Sequence, residues 1–219
     1  LVQRPIQLAD GGEIRITIAR YFTPTGRFIQ KPYDDTESYK KDLTQRYLNG
    51  EFQNADSIKF PDSLKFLTLK TKRTVYGGGG IMPDVFVSLD TSENSTYFSA
   101  LIRGGHVNNF AFNYIKANRT ALKTQYPNFS SFQQNFVCDQ AFMDQFFEHV
   151  AREDSSLVFV PEDYRISEEL IKLRLKAVIA QDLWSTNEMF QIYNETNEIL
   201  QEAIQVLKNH TYYNYQLDK

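Results

Sequence analysis

Two periodicities divide the chain. Ile14, Ile16 and Ile18 alternate with Arg15, Thr17 and Ala19, a period of two in β-branched residues that predicts a strand from Glu13 to Phe22. Leu1–Leu8 forms a less regular run before it. Ala9-Asp10-Gly11-Gly12 lies between the two, and Asp and Gly tolerate the positive φ of a hairpin turn. Pro5 has no N–H for a ladder, so the first strand should be an edge or bend there. Thr23-Pro24-Thr25-Gly26 is a turn signal, and Phe28-Ile29 starts another short strand. Thr36–Leu48 reads as an amphipathic helix with Tyr39, Leu43 and Tyr47 on one face. Asn49-Gly50 stops it, and Glu51–Ser63 reads as loop. Phe66–Tyr76 alternates again and predicts one strand. Gly77–Gly80 break it, and Pro83–Val87 starts the next.

From Asn94 the period changes to that of helices. Phe98, Leu101 and Ile102 share a face that ends at Gly104-Gly105; Val107, Phe110, Tyr114 and Ile115 suggest a second helix. Asp139 is placed to cap a third, with Phe142, Phe146 or Phe147 and Val150 inward. Pro161 separates it from a longer helix. Ser167 reads as that helix's N-cap, with Glu168 and Glu169 in its first turn. Leu170, Leu173, Ala177, Ala180 and Trp184 follow at helical spacing, and Ile192, Ile199, Ala203 and Val206 or Leu207 mark a last helix. The expected fold class is α+β. The period shift near Thr91 sets two domains, 1–91 with a helical insertion at about 34–63, and a helical domain at 92–219.

At 219 residues the chain can bury a substantial core. Its net charge of −3 gives no electrostatic case for nucleic acid or an anionic membrane, and no apolar run approaches a membrane span. The single cysteine, Cys138, excludes an internal disulfide. It has no histidine at a recognisable spacing and reads as a packed small hydrophobe. His106, His149 and His210 lack metal-ligand spacing and read as surface or helix-end residues. No cofactor or metal is expected. Asp34-Asp35 and Glu168-Glu169 read as solvated charge. The phenylalanines of 129–147 read as core, with an aromatic peptide-docking groove as the sharper alternative. Gly77-Gly78-Gly79-Gly80 beside Lys72-Arg73 is not a phosphate loop, which needs its lysine after the glycines and a helix following. Close backbone approach or unusual φ between two strands is the better reading.

Two blocks carry a family resemblance. Ile14–Gln30, reading IRITIARYFTPTGRFIQ, and Gly79-Gly80-Ile81-Met82-Pro83-Asp84-Val85 resemble, in order, two signatures of the carboxyl-terminal processing proteases, also called tail-specific proteases. These are serine endopeptidases with a Ser–Lys active site. The likeness covers roughly residues 1–87. It implies that the N-terminal strands belong to a crotonase-like (ββα) protease core, and that polypeptides are the substrates. It also implies a periplasmic or other bacterial cell-envelope location. In that family a glutamine four residues after the catalytic lysine orients the amine, within Lys-Gly-x-x-Gln. Leu1-Val2-Gln3 matches the end of that pattern, so the resemblance makes Gln3 the orienting residue. The lysine and serine are then expected upstream of Leu1, in a longer protein that also carries any signal sequence. On its own residues Gln3 is a solvent-facing polar side chain at a strand end.

Four residues of straight strand cover roughly 13 Å, too far for a side-chain hydrogen bond. The backbone between that lysine and Gln3 must therefore fold back, as at a bulge. The resemblance also makes Gly77, Gly78, Gly79 and Gly80 candidates for the substrate groove, and the insertion a candidate strap over it. The 219-residue chain by itself is expected to be inactive. The reading from a different class is a non-catalytic binding or dimerisation module formed by Asn94–Lys219. A homo-oligomer is also possible, because a sheet edge at Leu1 can pair with another chain.

Overall fold

In the first described segment, β1 (Val2–Gln7) and β2 (Glu13–Ala19) pair antiparallel. The Asp10-Gly11 signal makes their turn: Gly11 has φ +85°, its N–H donates to the Leu8 carbonyl, and the Asp10 carboxylate caps the Gly12 N–H. The computed structural model describes residues 2–210, which divide into two units. One comprises residues 2–89 with 205–210, and the other is Asp90–Ile204.

Helix α1 (Thr36–Leu48) has the expected bounds. The Asp35 side chain accepts from the Glu37 and Ser38 N–H groups at its start, and Asn49 followed by Gly50 at φ +75° ends it. Single 3-10 turns at Ala55–Ser57 and Asp62–Leu64 interrupt the following loop. The alternation across Phe66–Tyr76 does not make one strand. The chain reverses within it, so that β3 (Lys65–Leu67) pairs antiparallel with β4 (Thr74–Tyr76). The reversal is built by Lys72 at φ 56°, by Thr68 Oγ1 accepting the Arg73 N–H, and by the Thr68–Thr71 hydroxyl pair. Alternation reports a pleat and cannot see a turn that polar residues supply locally. Residues 28–29 and 83–87 are not strands either. Phe28 and Ile29 instead offer their carbonyls to Gly78 and Gly80.

The second unit is helical: α2 (Thr96–Arg103), α3 (His106–Gln125), α4 (Phe129–Asn135), α5 (Gln140–Glu153), α6 (Pro161–Leu183) and α7 (Thr186–Tyr193), followed by α8 (Glu198–Lys208), whose end groups with the first unit. Caps fix the ends. Ser95 accepts from Phe98 N, Asn128 from Ser131 N, Asp139 from Phe142 N, and Ser185 from Asn187 N. Two expectations are corrected. Ser167 is not an N-cap: α6 begins at Pro161, whose fixed φ suits a first turn, and Ser167 is fully buried one and a half turns in. The last apolar series is two helices, since Ser185 caps α7 and the Asn194–Asn197 break separates α8.

Helix α6 packs against α2, α3 and α7, and α3 against α2 and α5. The core is aromatic. Phe110 meets Phe142 and Phe146 edge-on, each at 5.3 Å, and Phe132 stacks on Phe136 at 4.5 Å. Phe132, Phe136, Phe142 and Phe146 are all buried, so these phenylalanines are packing and not a docking groove. Described residues 2–89, by contrast, bury no large apolar side chain.

Candidate functional site

The β1–β2 ladder sorts its side chains by face. Ile6 opposes Ile14 and Arg4 opposes Ile16; on the other side Gln3 opposes Thr17, Pro5 opposes Arg15 and Gln7 opposes Glu13. The second face is polar. Gln7 Nε2 donates to Glu13 at 2.8 Å, and Arg15 lies 3.5 Å from the same carboxylate. Gln3 ends this polar row, exposed. The ladder slips by one residue at its edge: Val2 pairs with Ala19 but Gln3 with Thr17, leaving Ile18 unmatched. That is a β-bulge, which re-aims the side chains beside it.

Among the described residues nothing covers the apolar face of the hairpin. Ile6, Ile14, Ile16 and Ile18 all stand exposed, Ile18 by 58%. The Tyr39, Leu43 and Tyr47 stripe of α1 is exposed as well.

After the hairpin, Thr23–Arg27 closes a tight turn. The Arg27 N–H donates to the Thr23 hydroxyl oxygen, Oγ1, at 3.1 Å, and Gly26 takes φ +84°. The Arg27 guanidinium reaches across to the Tyr76 carbonyl at 3.3 Å. Beside it the Gly78 N–H donates to the Phe28 carbonyl at 2.8 Å and the Gly80 N–H to the Ile29 carbonyl at 2.7 Å. Asp84 pairs with Arg73. The two blocks singled out in the sequence, some fifty residues apart, are thus stitched together.

The glycine run divides in two. A Cβ on Gly77 would sit 3.3 Å from both the Phe28 carbonyl oxygen and the Phe66 ring. One on Gly78, whose φ is +83°, would sit 2.6 Å from Leu64 Cδ1. These two are glycines because backbone and side chains close on them. Gly79 and Gly80 face open space. The insertion is held to the strand region by the Lys31–Asp42 ion pair, by Gln30 Nε2 on the Tyr39 hydroxyl at 3.2 Å, and by the Leu89 N–H on the Phe52 carbonyl at 2.7 Å.

In the helical unit His106 stands at a helix end, as expected, but it and His149 are buried rather than at the surface. His106 opens α3 with Nε2 3.5 Å from Asp154. His149 Nδ1 takes a 3.3 Å contact from the Arg152 guanidinium, so its neutral ring carries the proton on Nε2. That atom is buried without a partner among the described residues. Burial lowers the His149 pKa. Helical periodicity hid both residues, since a buried face counts only apolar positions. No cluster of three metal-ligating side chains exists among the described residues. Cys138 is buried, and burial pushes its thiol up to about 12. Among the described residues no helix is long and apolar enough to cross a membrane.

Comparison with known proteins finds one match. Residues 97–185, inside the helical unit, fit the sequence model of a family described only as a family of unknown function (DUF8443). No curated protein matches the chain, and no solved structure does.

Proposed function

We propose that this chain is the C-terminal part of a serine endopeptidase of the carboxyl-terminal processing type, which cuts polypeptides near their C-termini in the bacterial envelope. Gln3 orients the catalytic lysine. The lysine amine, unprotonated through burial, takes the proton of a serine hydroxyl as that oxygen attacks the peptide carbonyl. The Gln3 side-chain oxygen accepts an N–H from the amine and fixes its direction, the third role in a triad. The amine hands its proton to the departing amino group, and water hydrolyses the acyl-enzyme. Serine and lysine come from outside residues 1–219, so the chain alone is inactive.

The observation that carries this reading is the joining of the two family-like blocks by the Gly80 N–H on the Ile29 carbonyl, with the Gly78 N–H on the Phe28 carbonyl beside it. The bulge beside Gln3 and the uncovered isoleucine face agree with a hairpin that completes a larger sheet. Gly79 and Gly80, open on their free side, are the part of the run available to a substrate strand. The helical unit, with a core of its own, acts in this scheme as a binding module.

The test compares the full-length gene product with the 219-residue chain on an unstructured protein substrate. Cleavage by the former alone, stopped by a serine-directed inhibitor, is the expected result. Cleavage by the 219-residue chain, or none by the full-length protein, overturns the reading.

A further inference from the structure

Helix α6 carries an unmatched charge on its packed side. Arg174 lies between Ile171 and Leu175, both fully buried. Its guanidinium sits over the Tyr193 ring of α7, 5.2 Å from the centroid. The Arg174 Nε is buried and has no acceptor among the described residues, and the Tyr193 hydroxyl is buried and unpartnered as well. The other half-buried arginines differ. Arg27 reaches the Tyr76 carbonyl, Arg46 pairs with Glu51, and Arg73 pairs with Asp84. The carboxylates of α7 and the end of α6 are engaged elsewhere: Asp182 with Arg119, Glu188 with the Ser185 hydroxyl, and Glu195 with the Gln133 amide. A guanidinium keeps its proton, and a charge drawn out of water without a partner is costly. The aromatic face offsets part of that cost but offers Nε–H no acceptor.

Tyr193 completes a set of donors. Burial raises its phenol pKa, with Arg174 opposing, so at neutral pH the hydroxyl keeps a proton to donate. Together the two side chains present one positive charge, a planar fork of N–H groups and one O–H. A carboxylate matches that set in charge and in shape. A phosphate dianion calls for a second cation, and the α6 lysines are engaged, Lys172 with Glu168 and Glu169 and Lys176 with the Gln133 carbonyl. Arg174 is only half-buried as a residue, which leaves an approach from solvent.

We propose that Arg174 and Tyr193 form a carboxylate-binding site between α6 and α7, taking the free α-carboxylate of a polypeptide or a small carboxylic acid. The site lies in the helical unit and needs neither Gln3 nor the protease reading.

The experiment titrates the 219-residue chain while following the Arg174 Nε–H resonance by NMR and the heat of binding by calorimetry. The probes are sodium acetate, an N-acetylated tripeptide with a free C-terminus, the same tripeptide as its C-terminal amide, and inorganic phosphate. Acetate and the free-acid tripeptide should move the resonance saturably, and the amide should not. Tighter binding of the free-acid tripeptide than of acetate identifies a polypeptide end as the occupant; equal affinities identify a small acid. Arg174→Gln should weaken binding about tenfold or more, the scale of a lost charge-assisted hydrogen bond. Arg174→Lys should lose most of the affinity too, because an ammonium has no fork, and Tyr193→Phe should lose about threefold. If the Gln variant does not fold, the Lys and Phe variants decide. Equal binding of acid and amide, tighter binding of phosphate, affinity unchanged in Arg174→Lys and Tyr193→Phe, or no saturable shift with any probe overturns the proposal.

Discussion

Cys138 and His149 illustrate how burial sets chemistry one residue at a time. The Cys138 thiol donates weakly to the Lys172 carbonyl at 3.6 Å, and desolvation outweighs the attraction of Lys172 and Lys176 for a thiolate. A thiolate is the reactive species, so the folded protein should not react with an aromatic disulfide reagent at pH 8. It should titrate one thiol in denaturant; rapid labelling of the native protein would contradict the assignment.

At His149 desolvation is the largest influence, with Arg152 and His106 also opposing charge and Glu153 favouring it. The folded pKa lies below 6.5, so the unfolded chain binds more protons as pH falls through that value. Stability from this site is therefore full above about pH 6.5 and is lost below it. The urea midpoint should fall between pH 7.5 and 5.5, and His149→Gln should narrow that fall. An unchanged pH dependence in the variant would remove His149 as its source.

At the scale of elements, local chemistry and long-range contact have different owners. The α1 bounds, the Asp139 cap and the hairpin turn at Asp10-Gly11 were readable because each depends on residues within four positions of itself. Ser167 was misread for the same reason. Followed by Glu168 and Glu169 it has the local signature of a cap. Its hydroxyl instead donates to the Glu93 carbonyl at 2.5 Å and accepts the Ser95 N–H at 2.9 Å, more than seventy residues away. Asp163 adds a bond to the Tyr97 N–H at 3.0 Å. Together they pin the start of α2 onto α6. Ser167→Ala leaves the buried Ser95 N–H unpaired and removes the partner of the part-buried Glu93 carbonyl, a loss of about 1–3 kcal/mol. Denaturant unfolding of the variant should show it, and a change under half a kcal/mol would rule out this clasp as a stabilising element.

For the whole molecule, the two units differ in what they bury. The helical unit closes a core from Tyr97 to Ile192, whereas described residues 2–89 leave isoleucines and tyrosines in water. Burial of apolar area is the main source of stability, and isolated two-stranded hairpins are marginal. A protein of residues 90–204 should therefore melt cooperatively by circular dichroism. Residues 1–89 alone should show no cooperative transition and should bind a hydrophobic dye. A cooperative melt from 1–89 would mean that its apolar faces find one another without outside cover.

The sequence by itself determined the class of mixed strand and helix, the change of period near Thr91, the Asp139 cap, the Asn49-Gly50 stop and the Asp10-Gly11 turn, and the pair of family-like blocks on which the protease reading rests. All of these are local, written in spacings of two to four residues. Only the tertiary structure decided that Phe66–Tyr76 doubles back, that Ser167, His106 and His149 are buried, and that Gly78 and Gly80 bind Phe28 and Ile29. It also set Gln3 against Thr17. Each of these depends on what a residue meets from a distant part of the chain, and no periodicity encodes that partner.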